Sequence, residues 1–199
     1  MSLYLRVRGV PVIAAVMAVV VALLAWPGSS MGATPSPTGA TMMAGAFLAI
    51  AVPAVVGWGC ARGEGLLEST GVRPIARGDL AIAVLATAVV ALVAVLLHAA
   101  GMANAGVVAA RATLTYLGFL LLGAAFAGWR LAPVVPALFL LSVAVFGRGE
   151  DIAHPARWAW IAAEGADSVS WALTALVVVA GVLAYLTVSR RLDLSPSPE

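Results

Sequence analysis

The chain has 199 residues, of which 63% are apolar and 10% charged, and its formal charge is +2. A soluble domain holds roughly 45–50% apolar and about 25% charged residues, and a core this small cannot bury the excess, so the fitting solvent is a bilayer. The net charge is too small to point to nucleic acid, and eleven Arg with no Lys exclude a Walker-type phosphate loop and Schiff-base chemistry.

Crossing about 30 Å of hydrocarbon takes ~20 apolar residues. By that measure the first span runs from Val10 to Trp26. Arg6 and Arg8 precede it, and at 17 residues it exceeds the ~7–15 of a signal-peptide core. Pro27 to Gly39 is small, uncharged and proline-rich, as suits an extended outer loop. The second span covers about Thr41 to Trp58, with Cys60 just beyond it. A single thiol excludes an internal disulfide, a CxxC pair and a multi-Cys metal site. Cys60 to Asp79 is the most charged stretch. The third span runs from Leu80 to Ala99 and the fourth from near Ala105 to near Gly128, joined by a tight turn at Gly101 to Asn104. The fifth, Leu131 to Phe146, is short. Gly147 to Asp167 is polar but carries Trp158, Trp160 and Ile161. The sixth span covers Ser168 to Val188.

Lipid cannot satisfy free backbone amides, so the spans must be helices or a closed barrel. These continuous Ala-, Leu- and Val-rich runs lack the alternation of barrel strands. The expected fold is therefore an all-α integral membrane protein: one six-helix domain over residues 1–191 and a disordered tail over 192–199. With the amino end inside, eight arginines (Arg6, Arg8, Arg62, Arg73, Arg77, Arg130, Arg190, Arg191) face the cytoplasm. Three (Arg111, Arg148, Arg157) face out. The positive-inside rule thus places both termini in the cytoplasm of a multi-pass plasma-membrane protein. Trp26, Trp58, Trp129 and Trp171 fall at span ends, where indole rings prefer the headgroup level.

The stretch GCARGEGLLESTGVRPIARGDL lies on the cytoplasmic side, between spans two and three. Gly71 and Pro74 break it. Leu66 and Leu67 share a short amphipathic helix with Glu64 and Glu68, while Arg77 and Asp79 stand at the membrane face. Such a segment either offers charge to a cytoplasmic partner or is a charged, topology-setting loop.

Glu64, Gly65, Leu67, Glu68, Pro74, Ile75, Ala76, Arg77 and Leu80 follow the pattern of a first cytoplasmic loop: an acidic residue, Gly, a Leu-Glu pair, Pro-[Ile/Val]-Ser-Arg, then Leu. In this the chain resembles the permease subunit of ABC-2 type transporters. Ala76 stands where the family has a small hydroxyl residue, and the N-terminus is shorter than the family's. The motif covers about seventeen residues, the layout nearly the whole chain. The resemblance implies a short coupling helix, with Glu64, Gly65, Leu67, Glu68, Arg73, Pro74, Ile75 and Arg77 facing a separate ATPase subunit. It also implies a second permease chain, the same or homologous, and helices dipping into the outer leaflet between spans five and six, for which Asp151 to Asp167 is the counterpart. ATP would be used by the partner, and this chain would bind no cofactor and catalyse nothing.

Arg111 is the most unusual residue within a span. An intramembrane charge faces a partner or cavity, or its stem snorkels to the headgroups. The first reading makes Arg111 a pathway or gating residue, and Glu164 or Asp167 is a candidate salt partner. His98 and His154 lie near the outer face and are read as boundary residues, and Glu150, Asp151, Glu164 and Asp167 as a solvated acidic face. The expected function is the membrane-spanning subunit of an ABC-type exporter. The alternatives are a non-transporting module, such as an assembly factor or sensor, and a membrane enzyme.

Overall fold

A computed structural model describes residues 8–25, 45–67, 75–101, 106–151, 154–163 and 167–193. Among them are six α-helices: α1 (Val10–Leu24), α2 (Ala51–Leu67), α3 (Ile75–Ala99), α4 (Gly106–Ala127), α5 (Val134–Phe146) and α6 (Ser168–Asp193). A short antiparallel pair, β1 (Arg148–Asp151) with β2 (His154–Pro155), and a 3-10 turn at Trp160–Ala162 connect α5 to α6.

Among the described residues, four segments are long and apolar enough to cross a membrane: Gly45–Arg62, Arg77–Ala99, Gly106–Ala127 and Ser168–Ser189. The apolar helices α1 and α5 have 15 and 13 residues, about 22 and 20 Å at 1.5 Å per residue. Pro11 stands in the first turn of α1, where its missing N–H costs nothing. The chain enters α5 through coiled turns, Ala132 N–H donating to the Gly128 carbonyl at 3.0 Å and Val134 N–H to Leu131 at 3.0 Å. Gly128, at φ 76°, stops α4, a conformation that costs glycine little.

The spans expected from apolar runs each coincide with a helix, but the charged stretch differs. The expected short, separate coupling helix is absent among the described residues. Instead α2 continues through Glu64, Gly65 and Leu67, and α3 begins at Ile75, five residues before Leu80. No proline interrupts residues 54–73, and the glycines at 63 and 65 each weaken a helix by only about 1 kcal/mol. Glu68, Arg73 and Pro74 lie outside the described residues, as do Pro27–Gly39 and the tail from 194.

Contacts fix the direction of every helix. Gly9 meets Trp58 while Val20 and Leu24 join Val52, so α1 and α2 are antiparallel. Arg8 pairs with Asp79 while Val20 joins Val90 and Ala94, so α1 and α3 are parallel. Gly106 packs on Ala94 and His98, while Leu117 and Leu121 share a cluster with Ala83 and Ala86, so α3 and α4 run oppositely. Gly123 meets Val135 and Tyr116 clusters with Leu140 and Val143, which makes α5 antiparallel to α4. Thr115 meets Thr174 and Trp129 meets Tyr185, so α4 and α6 are parallel. The six helices therefore alternate, and residues 8 and 193 lie at the same end.

The core helix α4 packs most on α3 and α6 and also touches α2 and α5. At its closest approach to α6, Gly118 and Gly181 face each other, and a Cβ on Gly118 would lie 2.7 Å from the Val177 backbone. Small residues at such crossings let helix backbones come together where water supplies no hydrophobic drive. The outward faces carry large apolar side chains, among them Leu85 (67% exposed), Phe126 (79%) and Phe146 (71%). Apolar surface on this scale belongs in lipid. Hydroxyls follow the same logic. Thr113, Ser142, Thr174 and Ser189 each donate to the carbonyl four residues back, so these hydroxyls are satisfied within their own helices.

Candidate functional site

Two polar clusters stand at opposite ends of the bundle, each built around a buried arginine. At the end where α1 begins, Arg8 is 1% exposed and Asp79, one turn into α3, is 2% exposed. Their Nη2 and Oδ2 atoms are 2.7 Å apart. Arg8 also donates through Nη1 to the carbonyl of Cys60 in α2. Tyr185 of α6 lies within electrostatic reach of Asp79 and Arg8. Its hydroxyl accepts a 3.3 Å bond from Trp129 Nε1, just past α4, with the rings edge-on at 5.4 Å. One cluster thus joins the starts of α1 and α3, the body of α2, the exit of α4 and the last turns of α6. A carboxylate and a carbonyl here replace water that the buried guanidinium lost.

From this cluster α2 and α3 extend as helix toward the charged connection. Of the residues assigned there to partner coupling, Glu64, Gly65 and Leu67 lie in the last turn of α2. Ile75 and Arg77 lie in the first turn of α3, and Arg77 is exposed. Asp79, read from sequence as a charge at the membrane face, is instead the buried partner of Arg8.

At the other end Arg111, in α4, is fully buried. Its Nη2 donates to the carbonyls of Ile161 (3.5 Å) and Ala163 in the connection to α6. This overturns the snorkelling reading, since the side chain turns inward to the 3-10 turn. Asp167 supplies the opposite charge expected of a partner, acting through the field rather than by direct contact. It also caps α6, accepting from Val169 N–H at 3.3 Å and Ser170 N–H at 3.2 Å. The Ser170 hydroxyl, foremost, with those amides and Arg111, holds the Asp167 carboxyl below the usual aspartate range. Thr115 and Thr174 bridge α4 and α6 at 3.0 Å, and Trp160 Nε1 donates to Thr115 at 3.4 Å. The Trp160 ring packs at a tilt against Phe139 and Phe119, centroids 4.9 and 6.3 Å away. Glu164 lies outside the described residues, and His98 is exposed at the end of α3.

Sequence reasoning singled out Arg111 and missed the Arg8–Asp79 pair. The available signal was two opposite charges, each at the start of an apolar helix on the same expected side of the membrane. The chain matches no protein-family model, no curated protein and no solved structure.

Proposed function

We propose that this chain is the membrane-spanning permease subunit of an ATP-driven exporter in the plasma membrane, with all six helices crossing and the Arg8 end in the cytoplasm. A separate ATPase subunit docks on residues 61–80, and a second permease chain, the same or homologous, completes the pathway. The observation that carries the reading is how the 61–80 segment is rooted. Its two arms continue α2 and α3, and a buried ion pair with its hydrogen bond joins both arms to the start of α1. A push on the arms moves helices rather than a loop, which is what coupling to ATPase closure requires. The alternating helices, and the exposed Arg62, Arg77 and Arg130 at this end, agree with the assigned orientation.

Affinity purification of the tagged chain from its own host, in mild detergent, tests the proposal. A Walker-type ATPase should co-purify near one-to-one, and reversing the charges of Glu64, Glu68 and Arg77 together should release it while the helices stay folded. Absence of an ATPase, under conditions that preserve other such complexes, makes a non-transporting membrane module the better reading.

A further inference from the structure

The lipid-facing side of α1 and α2 carries two features that docking of an ATPase does not explain. The first is an open groove of about 510 Å³ between the helices, lined by Pro11, Val12, Val16, Leu23, Phe47 and Ala51 among others. That volume falls in the range of about 300–1,000 Å³ typical of small-molecule sites, yet the walls are aliphatic and aromatic. The second is an arginine at the groove's Arg8 end. The Arg62 guanidinium carbon sits 4.7 Å from the centre of the Trp58 ring. Trp58 is 44% exposed and touches Gly9, two residues before the Pro11 wall of the groove.

Both features lie on one helix face. Phe47, Ala51, Ala54, Trp58 and Arg62 follow one another at intervals of three or four, and each is exposed or half-buried. Residues so spaced line one side of a helix. From Phe47 to Arg62 is about 22 Å at 1.5 Å per residue, enough to cover one leaflet's ~15 Å of hydrocarbon. Stacking occupies the guanidinium face but leaves its N–H edges for an acceptor, the geometry that suits phosphate. The described carboxylate nearest in the fold, Asp79, is engaged by Arg8.

We infer that α1 and α2 bind an anionic phospholipid, its acyl chain in the groove and its headgroup phosphate on Arg62 above Trp58. The occupant is a lipid rather than a protein segment because the cation caps a continuous apolar stripe long enough to cover one leaflet. This site does not depend on transport.

Native mass spectrometry of the full chain tests it. The chain is released from detergent with equal amounts of phosphatidylglycerol and phosphatidylcholine of matched acyl chains. The wild type should retain phosphatidylglycerol roughly tenfold over phosphatidylcholine, the scale of one charge-assisted hydrogen bond. Arg62→Gln should bring that ratio near one, Arg130→Gln should leave it unchanged, and Val16→Trp, which fills the groove, should lower retention of both lipids. Arg62→Gln alters an exposed side chain and keeps the fold, so it decides the matter even if Val16→Trp fails to fold. Equal retention by the wild type, or an undiminished preference in Arg62→Gln, overturns the inference. Displacement of the lipid by glycerol phosphate would mean a free-phosphate site. Loss of a dimer in Val16→Trp with lipid retention unchanged would assign the groove to a second copy of the chain. Either result also overturns it.

Discussion

At the scale of single residues, the chain keeps two buried arginines in an apolar surrounding by giving each a different kind of partner. Arg8 has a carboxylate and a carbonyl; Arg111 has carbonyls and the field of a helix-capping aspartate. Removing one member of a buried ion pair leaves the other charge unmet and costs about 3–5 kcal/mol, whereas removing both costs far less. Arg8→Met and Asp79→Leu should each lower the unfolding temperature in detergent sharply, and the double substitution should recover most of the loss. Thermal unfolding of the four proteins measures the coupling, and additive losses would show that the two side chains act separately. Arg111 was legible in the sequence as a charge inside an apolar run. Its partners were not, because backbone carbonyls of a 3-10 turn leave no mark on composition. The Arg8–Asp79 pair was hidden for another reason. Each residue has an ordinary local explanation, as a topology marker or a loop charge, and 71 positions separate them.

Among elements, the contact of α4 with α6 is the tightest in the bundle. Gly118 and Gly181 meet backbone to backbone, flanked by the Thr115–Thr174 bridge. A methyl group at either position must push the helices apart. Gly118→Ala and Gly181→Ala should each destabilise by about 1–3 kcal/mol, the usual cost of overpacking. The pair together should cost less than the sum, since both press on the same crossing. Denaturant titration followed by helix content measures this, and neutral substitutions would show that the crossing is looser than described. The helices themselves were largely legible, because apolar runs of this length have few alternatives in lipid. The helical extension of α2 past Trp58 was not, because charge and glycine at residues 62–65 resemble a loop when the helix behind them is unknown.

For the whole molecule, alternating helices place positions 62, 77 and 130 at one end and 100 and 157 at the other. Single cysteines can test this once the buried Cys60 is replaced by Ser. In intact cells an impermeant maleimide should label Ala100→Cys and Arg157→Cys and leave Arg130→Cys unlabelled until the membrane is opened. Opposite behaviour of positions 100 and 157 would mean that the bundle does not alternate across the bilayer. That the chain holds membrane-spanning helices was legible from the apolar runs, four of which fall in helices long enough to cross. Which helix forms the core was not, since α3 and α6 are as apolar as α4 by composition and only packing separates them.

The ion pair also sets a timetable for synthesis. Arg8 is made 71 residues before Asp79, a wait of roughly 4–14 s at ~5–20 residues per second. During that wait the guanidinium of Arg8 is without Asp79 as its partner. Arrival of the third closes a unit of three, because α1 packs chiefly on α2 and α3. The second half then assembles against a finished wall, and its own clasp waits for the ribosome to deliver Ile161 and Ala163 to Arg111. A translational pause placed once Asp79 has emerged from the ribosome would therefore favour correct insertion, and one placed before it emerges would prolong the wait of Arg8 for its partner.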